Sequence, residues 1–116
     1  MALQTEITFK GMDTSDALRA DMEQHARKLA QFEPDIFKCH VVVEPSEHRH
    51  HHGNRYAVSV RVTLPGGELV SSHEAAGERS HAHEDAYVAV RDAFDTMRRQ
   101  LQDQRRIRQG KVKRHE

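Results

Sequence analysis

Arginine and lysine side chains, whose common chemistry is the binding of anions, are concentrated at the C-terminal end of this chain. Residues 96–116 hold eight basic and two acidic residues, a net charge of +6, so the other 95 residues carry −6 in a formally neutral chain. Such an arrangement attracts a polyanion at one place and repels it elsewhere. It therefore predicts oriented binding of a polyanion. The basic residues are Arg98, Arg99, Arg105, Arg106, Arg108, Lys111, Lys113 and Arg114.

Three arginines recur at intervals of seven residues, close to two turns of an α-helix. Arg91, Arg98 and Arg105 would lie along one side of a helix, with Arg99 and Arg106 beside them. Such a stripe can follow a row of phosphates, and each guanidinium can make forked contacts. The alternative is a solvated helix end whose cations only complement the helix dipole. We favour phosphate binding because eight cations fall within 21 residues.

Histidine side chains form a second cluster, and histidine can bind metals. Residues 48–52 include four histidines in a predicted turn, and His73, His81 and His83 precede the last predicted helix. A closed zinc site needs four converging ligands, whereas consecutive loop residues point in different directions. We therefore expect no metal, and interpret residues 48–52 as an exposed polar hairpin that can contact RNA or titrate weakly with pH.

Catalytic motifs are missing from the sequence. There is no nucleophile elbow, phosphate-binding glycine loop or metal-ligand signature, and helix capping explains the paired carboxylates Glu84 and Asp85. We expect Cys39 to pack in the core, and Tyr87 to pack at its edge rather than to stack on a base. The chain is therefore predicted not to be an enzyme and to use no cofactor or small-molecule substrate.

The period of the apolar residues predicts the first two elements that would position these side chains. Residues 3–9 alternate between apolar and polar and predict a strand. A helix is predicted from Ser15 to Phe32, because Asp13, Thr14 and Ser15 offer side-chain oxygens that can cap it and apolar residues recur at helical spacing until Pro34 forbids continuation.

Three strands and a second helix follow. The strands are predicted over residues 36–44, 56–64 and 68–75, with Phe37 on the apolar face of the first of them. A glycine-containing turn joins the last two strands, and an antiparallel meander is the simplest pairing. An apolar stripe over residues 84–101 predicts a long second helix that continues into the arginine-rich sequence, and the arginines lie outside this stripe. Replacing them is therefore expected to leave the fold intact.

These elements predict an α+β fold, β-α-β-β-β-α, with a four-stranded sheet and two helices packed on one face. A chain of 116 residues fits one domain. We divide it into an α+β domain over residues 1–104 and a basic, flexible tail over residues 105–116, which has few apolar residues to pack. With no export signal and no apolar run of membrane-spanning length, we expect a soluble, cytoplasmic protein without membrane contacts, monomeric when free.

The second-helix run EDAYVAVRDAFDTMRRQL, the turn PGGEL and the start ITFKGMDTSDAL together carry a resemblance. The chain resembles the ribosome hibernation promoting factor and protein Y family, also called ribosome-associated translation inhibitors or sigma-54 modulation proteins. The likeness covers nearly the whole chain, most specifically Asp85, Tyr87, Ala89 and the RQL of residues 99–101. It implies a fold similar to the double-stranded-RNA-binding domain.

The resemblance implies a bacterial stress protein that inhibits translation from the decoding cleft of the small ribosomal subunit, where it blocks messenger and transfer RNA. Its contacts would be basic side chains on ribosomal RNA phosphates, beside neighbouring ribosomal proteins. Arg99 corresponds to the arginine of the family's RQL element, Arg105 and Arg106 to a lysine-rich continuation, and Lys28 to a basic position near the end of the first helix. The RNA-binding candidates are Arg27, Lys28, Arg91, Arg98, Arg99, Arg105, Arg106, Arg108, Lys111, Lys113 and Arg114.

The chain departs from the family pattern at Arg91, where relatives usually carry an acidic residue. The 116 residues also lack the linker and second domain with which long-form relatives pair two ribosomes, so a short form is expected. Whether ribosomes are kept as inactive monomers or helped to pair stays open. Two alternatives of other classes are a protein-interaction module that docks through the long helix and a metal-responsive regulator that uses residues 48–52.

Overall fold

The computed structural model describes residues 3–45, 56–74 and 82–114, and for residues 74, 82–85 and 108–114 it describes the backbone alone. Six elements follow one another in the order β-α-β-β-β-α, as predicted. Their bounds are β1 Gln4–Phe9, α1 Asp16–Phe32, β2 Lys38–Pro45, β3 Tyr56–Leu64, β4 Gly67–Glu74 and α2 Ala82–Arg114.

The four strands form one mixed sheet in the order β1-β2-β3-β4. β1 runs parallel to β2, with Ile7 opposite Val41, and α1 is the crossover between them. β2, β3 and β4 form the predicted antiparallel meander. Pro65 and Gly66 join β3 to β4, and Gly66 has a φ of 99°, a conformation that favours glycine. The predicted α+β class is confirmed.

The core lies between one face of the sheet and the two helices. α1 packs beside β1 and against α2, and α2 lies across β3 and β4. Burial of this apolar face supplies the main stabilising contribution to the fold, and the predicted packing of both helices on one face is confirmed. The strands bury alternate residues, each at most 1% exposed: Cys39, Val41, Val43, Val58, Val60 and Val62.

Local chemistry sets the ends of α1. The Ser15 side chain accepts a hydrogen bond from the backbone N–H of Leu18 at 3.2 Å, which caps the first turn. At the other end, Glu33 has an extended backbone, as a residue before proline prefers, and Pro34 follows it. The predicted helix is confirmed to within one residue.

Phe37 differs from its prediction. Its N–H donates to the carbonyl of Thr63 at 3.1 Å, and its own carbonyl accepts from the N–H of Gln4 at 3.0 Å. Its side chain is nevertheless 40% exposed. The predicted position of Phe37 on the apolar face of β2 is wrong: β2 begins at Lys38, two residues after its predicted start, and Phe37 precedes the strand.

The second helix is longer than its apolar stripe. Leu101, 1% exposed, is the last described residue of α2 in the core, yet the backbone stays helical to Arg114. Glutamine and arginine dominate this extension, and both have high helix propensity. Residues 105–114 of the expected tail are thus helical in the structure, and the division of the chain at residue 104 stays a prediction.

Candidate nucleic-acid interface

The two helices lie side by side and run in the same direction. The ring of His25 in α1 stacks on that of Phe94 in α2, with centroids 5.2 Å apart and planes 17° from parallel. Farther along both helices, the guanidinium carbon of Arg98 lies 4.6 Å from the ring centroid of Phe32. The side chains along the line where α1 and α2 meet therefore form one continuous surface, which begins at His25 and Phe94 and continues to Phe32 and Arg98. We call this surface the α1–α2 face.

The predicted arginine stripe borders this face. Arg98 and Arg105, seven residues apart, both lie over the ring of Phe32, at 4.6 and 5.2 Å. Arg91 is two further turns back along the same side of the helix and is exposed, with its Nε 3.4 Å from the carboxylate of Asp92. The three arginines therefore follow one side of α2, next to α1.

Arg98 and Arg99 carry the least neutralised charge of this group. Both side chains are exposed, and no carboxylate among the described residues lies within ion-pairing distance of either. Arg106 is 75% exposed and lies 3.6 Å from Asp103, one turn before it. Exposed guanidinium groups without an acidic partner keep their donors available for an anion.

Lys28 extends the cationic surface onto α1. It is exposed, and it follows His25 by three residues and precedes Phe32 by four, so it lies on the side of α1 that meets α2. Arg27 is also exposed, but it follows His25 by two residues and lies about 200° around the helix from it. The α1–α2 face thus includes Lys28 and leaves Arg27 on the outer side of α1.

Arg105 has a different environment from its neighbours. Its Nη2 lies 2.9 Å from Oε1 of Glu33, whose side chain is 6% exposed, and it also donates to the backbone carbonyl of Phe32 at 3.3 Å. A carboxylate this deeply buried is costly unless it is paired. We therefore expect replacement of Arg105, unlike that of the other arginines, to reduce stability, because it would leave the buried carboxylate of Glu33 without its charged partner. The sequence gives no signal of this pair, which joins residues 72 positions apart.

Four of the predicted RNA-binding residues lie on the extension of α2. Arg108, Lys111, Lys113 and Arg114 belong to its helical backbone, and their side chains lie outside the described part. A helix repeats its side-chain direction about every 3.6 residues. The extension therefore continues the helix axis along which Arg91, Arg98 and Arg105 are placed.

The described histidine and cysteine side chains form no metal site. Among the side chains that the structure describes, no three metal-binding groups come together; residues 48–52 and His81 lie outside the described ranges, and only the backbone of His83 is described. Nε2 of His73 lies 3.5 Å from the carboxylate of Asp92, on the surface. Burial raises the pKa of the Cys39 thiol to about 12, so this side chain is a neutral core residue. The packing roles predicted for Cys39 and for Tyr87, which is half-buried against the core, are confirmed.

Apolar side chains are also exposed near the α2 extension. Ile107 is 58% exposed, and with Gln104 it borders an open cavity of about 420 Å³ against the β3–β4 turn, where Leu64 and Leu69 form the opposite wall. This cavity lies beyond the last core residue of α2.

In the described ranges, no helix is long and apolar enough to cross a membrane.

Comparison with known proteins identifies the family. The model of the family described as sigma 54 modulation protein / S30EA ribosomal protein matches residues 5–109. Among solved structures, a ribosomal subunit interface protein from Coxiella burnetii is 20% identical with a TM-score of 0.71, over 89% of this chain and 98% of that one. The N-terminal domain of Protein Y from Thermus thermophilus is 21% identical with a TM-score of 0.64, over 87% and 96%. These two likenesses show the fold, and no curated protein sequence matches significantly. Because the family model covers most of the chain, the protein belongs to the sigma 54 modulation protein / S30EA ribosomal protein family.

Proposed function

We propose that this protein is a ribosome hibernation factor that binds ribosomal RNA of the small subunit through its α1–α2 face and inhibits translation without catalysing a reaction. The observation that carries the proposal is the exposure of Arg98 and Arg99 without carboxylate partners among the described residues, with Lys28 on the side of α1 that meets α2. Family membership supports the ribosome as the target, since the family description names a ribosomal protein and one structural relative is titled a ribosomal subunit interface protein.

In this proposal the protein inhibits translation by occupying a site on the ribosome. It fills the decoding cleft of the small subunit and excludes messenger and transfer RNA, with cations of the α1–α2 face and the α2 extension on backbone phosphates. The rest of the chain carries a charge of −6 against +6 for residues 96–116, so phosphates attract one end of the protein and repel the other. This asymmetry favours a single orientation on the subunit.

The mechanism predicts a steep dependence of affinity on salt. Each phosphate that a cation neutralises releases a counterion, and log affinity falls with log salt by roughly 0.7 to 0.9 per contact. The measurement is co-sedimentation of the protein with vacant small subunits and with whole ribosomes over a series of salt concentrations. A saturable complex with no salt dependence would contradict binding through phosphates.

The double variant Arg98→Gln/Arg99→Gln tests the site. Glutamine preserves helix propensity and removes two charges, so we expect affinity to fall by about a hundredfold or more, at about 1.5 kcal/mol or more per lost contact to a charged group. The matched control is Lys10→Gln/Arg61→Gln, which removes the same charge from exposed positions away from the helices. Equal affinity for the two double variants would move the RNA contact away from the α1–α2 face.

One observation favours a second candidate, a protein-interaction module that docks through α2. Such a module needs an apolar anchor on the exposed side of the helix, and Ile107 is 58% exposed beside the open cavity at the β3–β4 turn. The salt series separates the two functions. A complex held by apolar contacts survives high salt, whereas phosphate contacts do not.

A further inference from the structure

The C-terminal end of α1 holds a carboxylate that the proposed RNA contact does not use. Glu33 is 5% exposed, and its backbone N–H donates to the carbonyl of Leu29 at 2.9 Å as the helix ends. Its side chain accepts from the backbone N–H of Asp35 at 3.4 Å and from Arg105 at 2.9 Å. Arg105 is therefore the charged partner of a buried acid and joins the end of α1 to α2.

Phe32, next to Glu33, contacts two arginines of α2. Arg105 lies 5.2 Å and Arg98 4.6 Å from its ring centroid, and Arg105 also donates to its backbone carbonyl. A guanidinium that stacks on an aromatic face keeps the N–H groups at its edge available for other acceptors. The ring thus restricts where Arg98 can place its donors.

We propose that Phe32, Glu33 and Arg105 form an anchor that positions the phosphate-binding side chains of α2, and that Arg105 is a positioning residue rather than a phosphate ligand. This inference rests on the proposed function and assigns separate roles to residues of one stripe. The anchor lies one turn beyond Leu101, the last described core residue of α2, where the helix leaves the body of the protein. It therefore fixes the direction of the extension as well as Arg98.

The charges of the anchor distinguish it from the rest of the surface. Glu33 and Arg105 neutralise one another at 2.9 Å, so the pair adds no net attraction for RNA. If Glu33 acted only through its charge, its removal would strengthen binding, because one negative charge near the phosphates would be lost. If Glu33 is part of an anchor, its removal weakens binding although the protein becomes more positive.

The experiment compares Glu33→Gln with Asp95→Asn for binding to vacant small ribosomal subunits at several salt concentrations. Both variants remove one negative charge, and Asp95 is exposed on α2. We expect Glu33→Gln to lower the affinity for subunits about tenfold while the slope of log affinity against log salt is not reduced. We expect Asp95→Asn to bind at least as tightly as the wild type. An affinity of Glu33→Gln equal to or above that of Asp95→Asn overturns the anchor.

Arg105→Gln and Arg98→Gln separate positioning from phosphate contact. We expect Arg98→Gln to reduce the salt slope by roughly 0.7 to 0.9, the loss of one contact, and Arg105→Gln to lower affinity with an unchanged slope. Arg105→Lys, which keeps a cation beside Glu33, should recover part of the affinity. A slope for Arg105→Gln reduced as much as that for Arg98→Gln would make Arg105 a phosphate ligand and refute the inference.

Thermal unfolding of Glu33→Gln, Arg105→Gln and their double variant tests the anchor without the ribosome. We expect the double variant to lose less stability than the two single losses combined, because either change alone breaks the same contact. Additive losses would refute the anchor. If the wild-type protein does not bind subunits while the losses are non-additive, the proposed function fails, and with it the positioning role, but the contact itself stands.

Discussion

Leu101→Ala tests whether α2 is held to the body of the protein by its last core contact. Leu101 is 1% exposed and belongs to the core that α2 forms with the sheet. Buried Leu→Ala substitutions cost about 2–5 kcal/mol, from lost burial and from the cavity that remains. Alanine has the higher helix propensity, so the helix itself loses nothing. We expect a loss near 3 kcal/mol, a large part of the about 5–15 kcal/mol by which domains are stable.

The assay is urea unfolding followed by far-UV circular dichroism, with a thermal melt beside it. At about 4 °C per kcal/mol for a domain of this size, the melting temperature should fall by roughly 12 °C. The matched control is Ile107→Ala in the same helix, because Ile107 is 58% exposed and its truncation should change stability by less than about 0.5 kcal/mol. Equal losses in the two variants would refute the assignment of Leu101 to the core and Ile107 to the surface.

Two further predictions concern the core and the start of α1. Because burial raises the pKa of Cys39 from 9.0 to about 12, the folded state holds a proton that the unfolded state loses above about pH 9. The free energy of unfolding should therefore fall between pH 9 and pH 12. Chemical unfolding at each pH measures this loss, which should be absent in Cys39→Ala. Ser15→Ala removes the cap of α1 and should lower the free energy of unfolding in urea by about 1 kcal/mol, whereas Ser15→Gly should lower it by only about a few tenths of a kcal/mol. An equal loss in both variants would argue against the capping hydrogen bond.

The strands and the first helix could be predicted from the sequence because their apolar periodicity is strong. Tyr56–Leu64 alternates without interruption, and the predicted strand has the bounds of β3. Pro34 ends α1 for a local steric reason that the sequence contains. The end of α2 could not be predicted in the same way. The apolar stripe ends at Leu101, but helix propensity continues through the glutamines and arginines that follow.

The cationic stripe could be predicted from its spacing, but the roles of its members could not. Arg98 and Arg105 are both arginines, seven positions apart, and nothing in the sequence distinguishes their roles. They differ in structure because Arg105 meets Glu33, an acid before a proline that would ordinarily be exposed at a helix end. A contact between residues 72 positions apart leaves no local pattern. Only the three-dimensional arrangement separates Arg105, which pairs with Glu33, from Arg98, which has no carboxylate partner among the described residues.

The position of α2 at the end of the element order has a consequence for biosynthesis. Of the nineteen buried apolar residues in the described part of the chain, seven belong to α2, so more than a third of the core is made last. Until this helix leaves the exit tunnel, the core-facing sides of β3 and β4 have no cover from it. Uncovered strands of this kind are prone to aggregate. The nascent chain therefore completes this core only after α2 has left the exit tunnel.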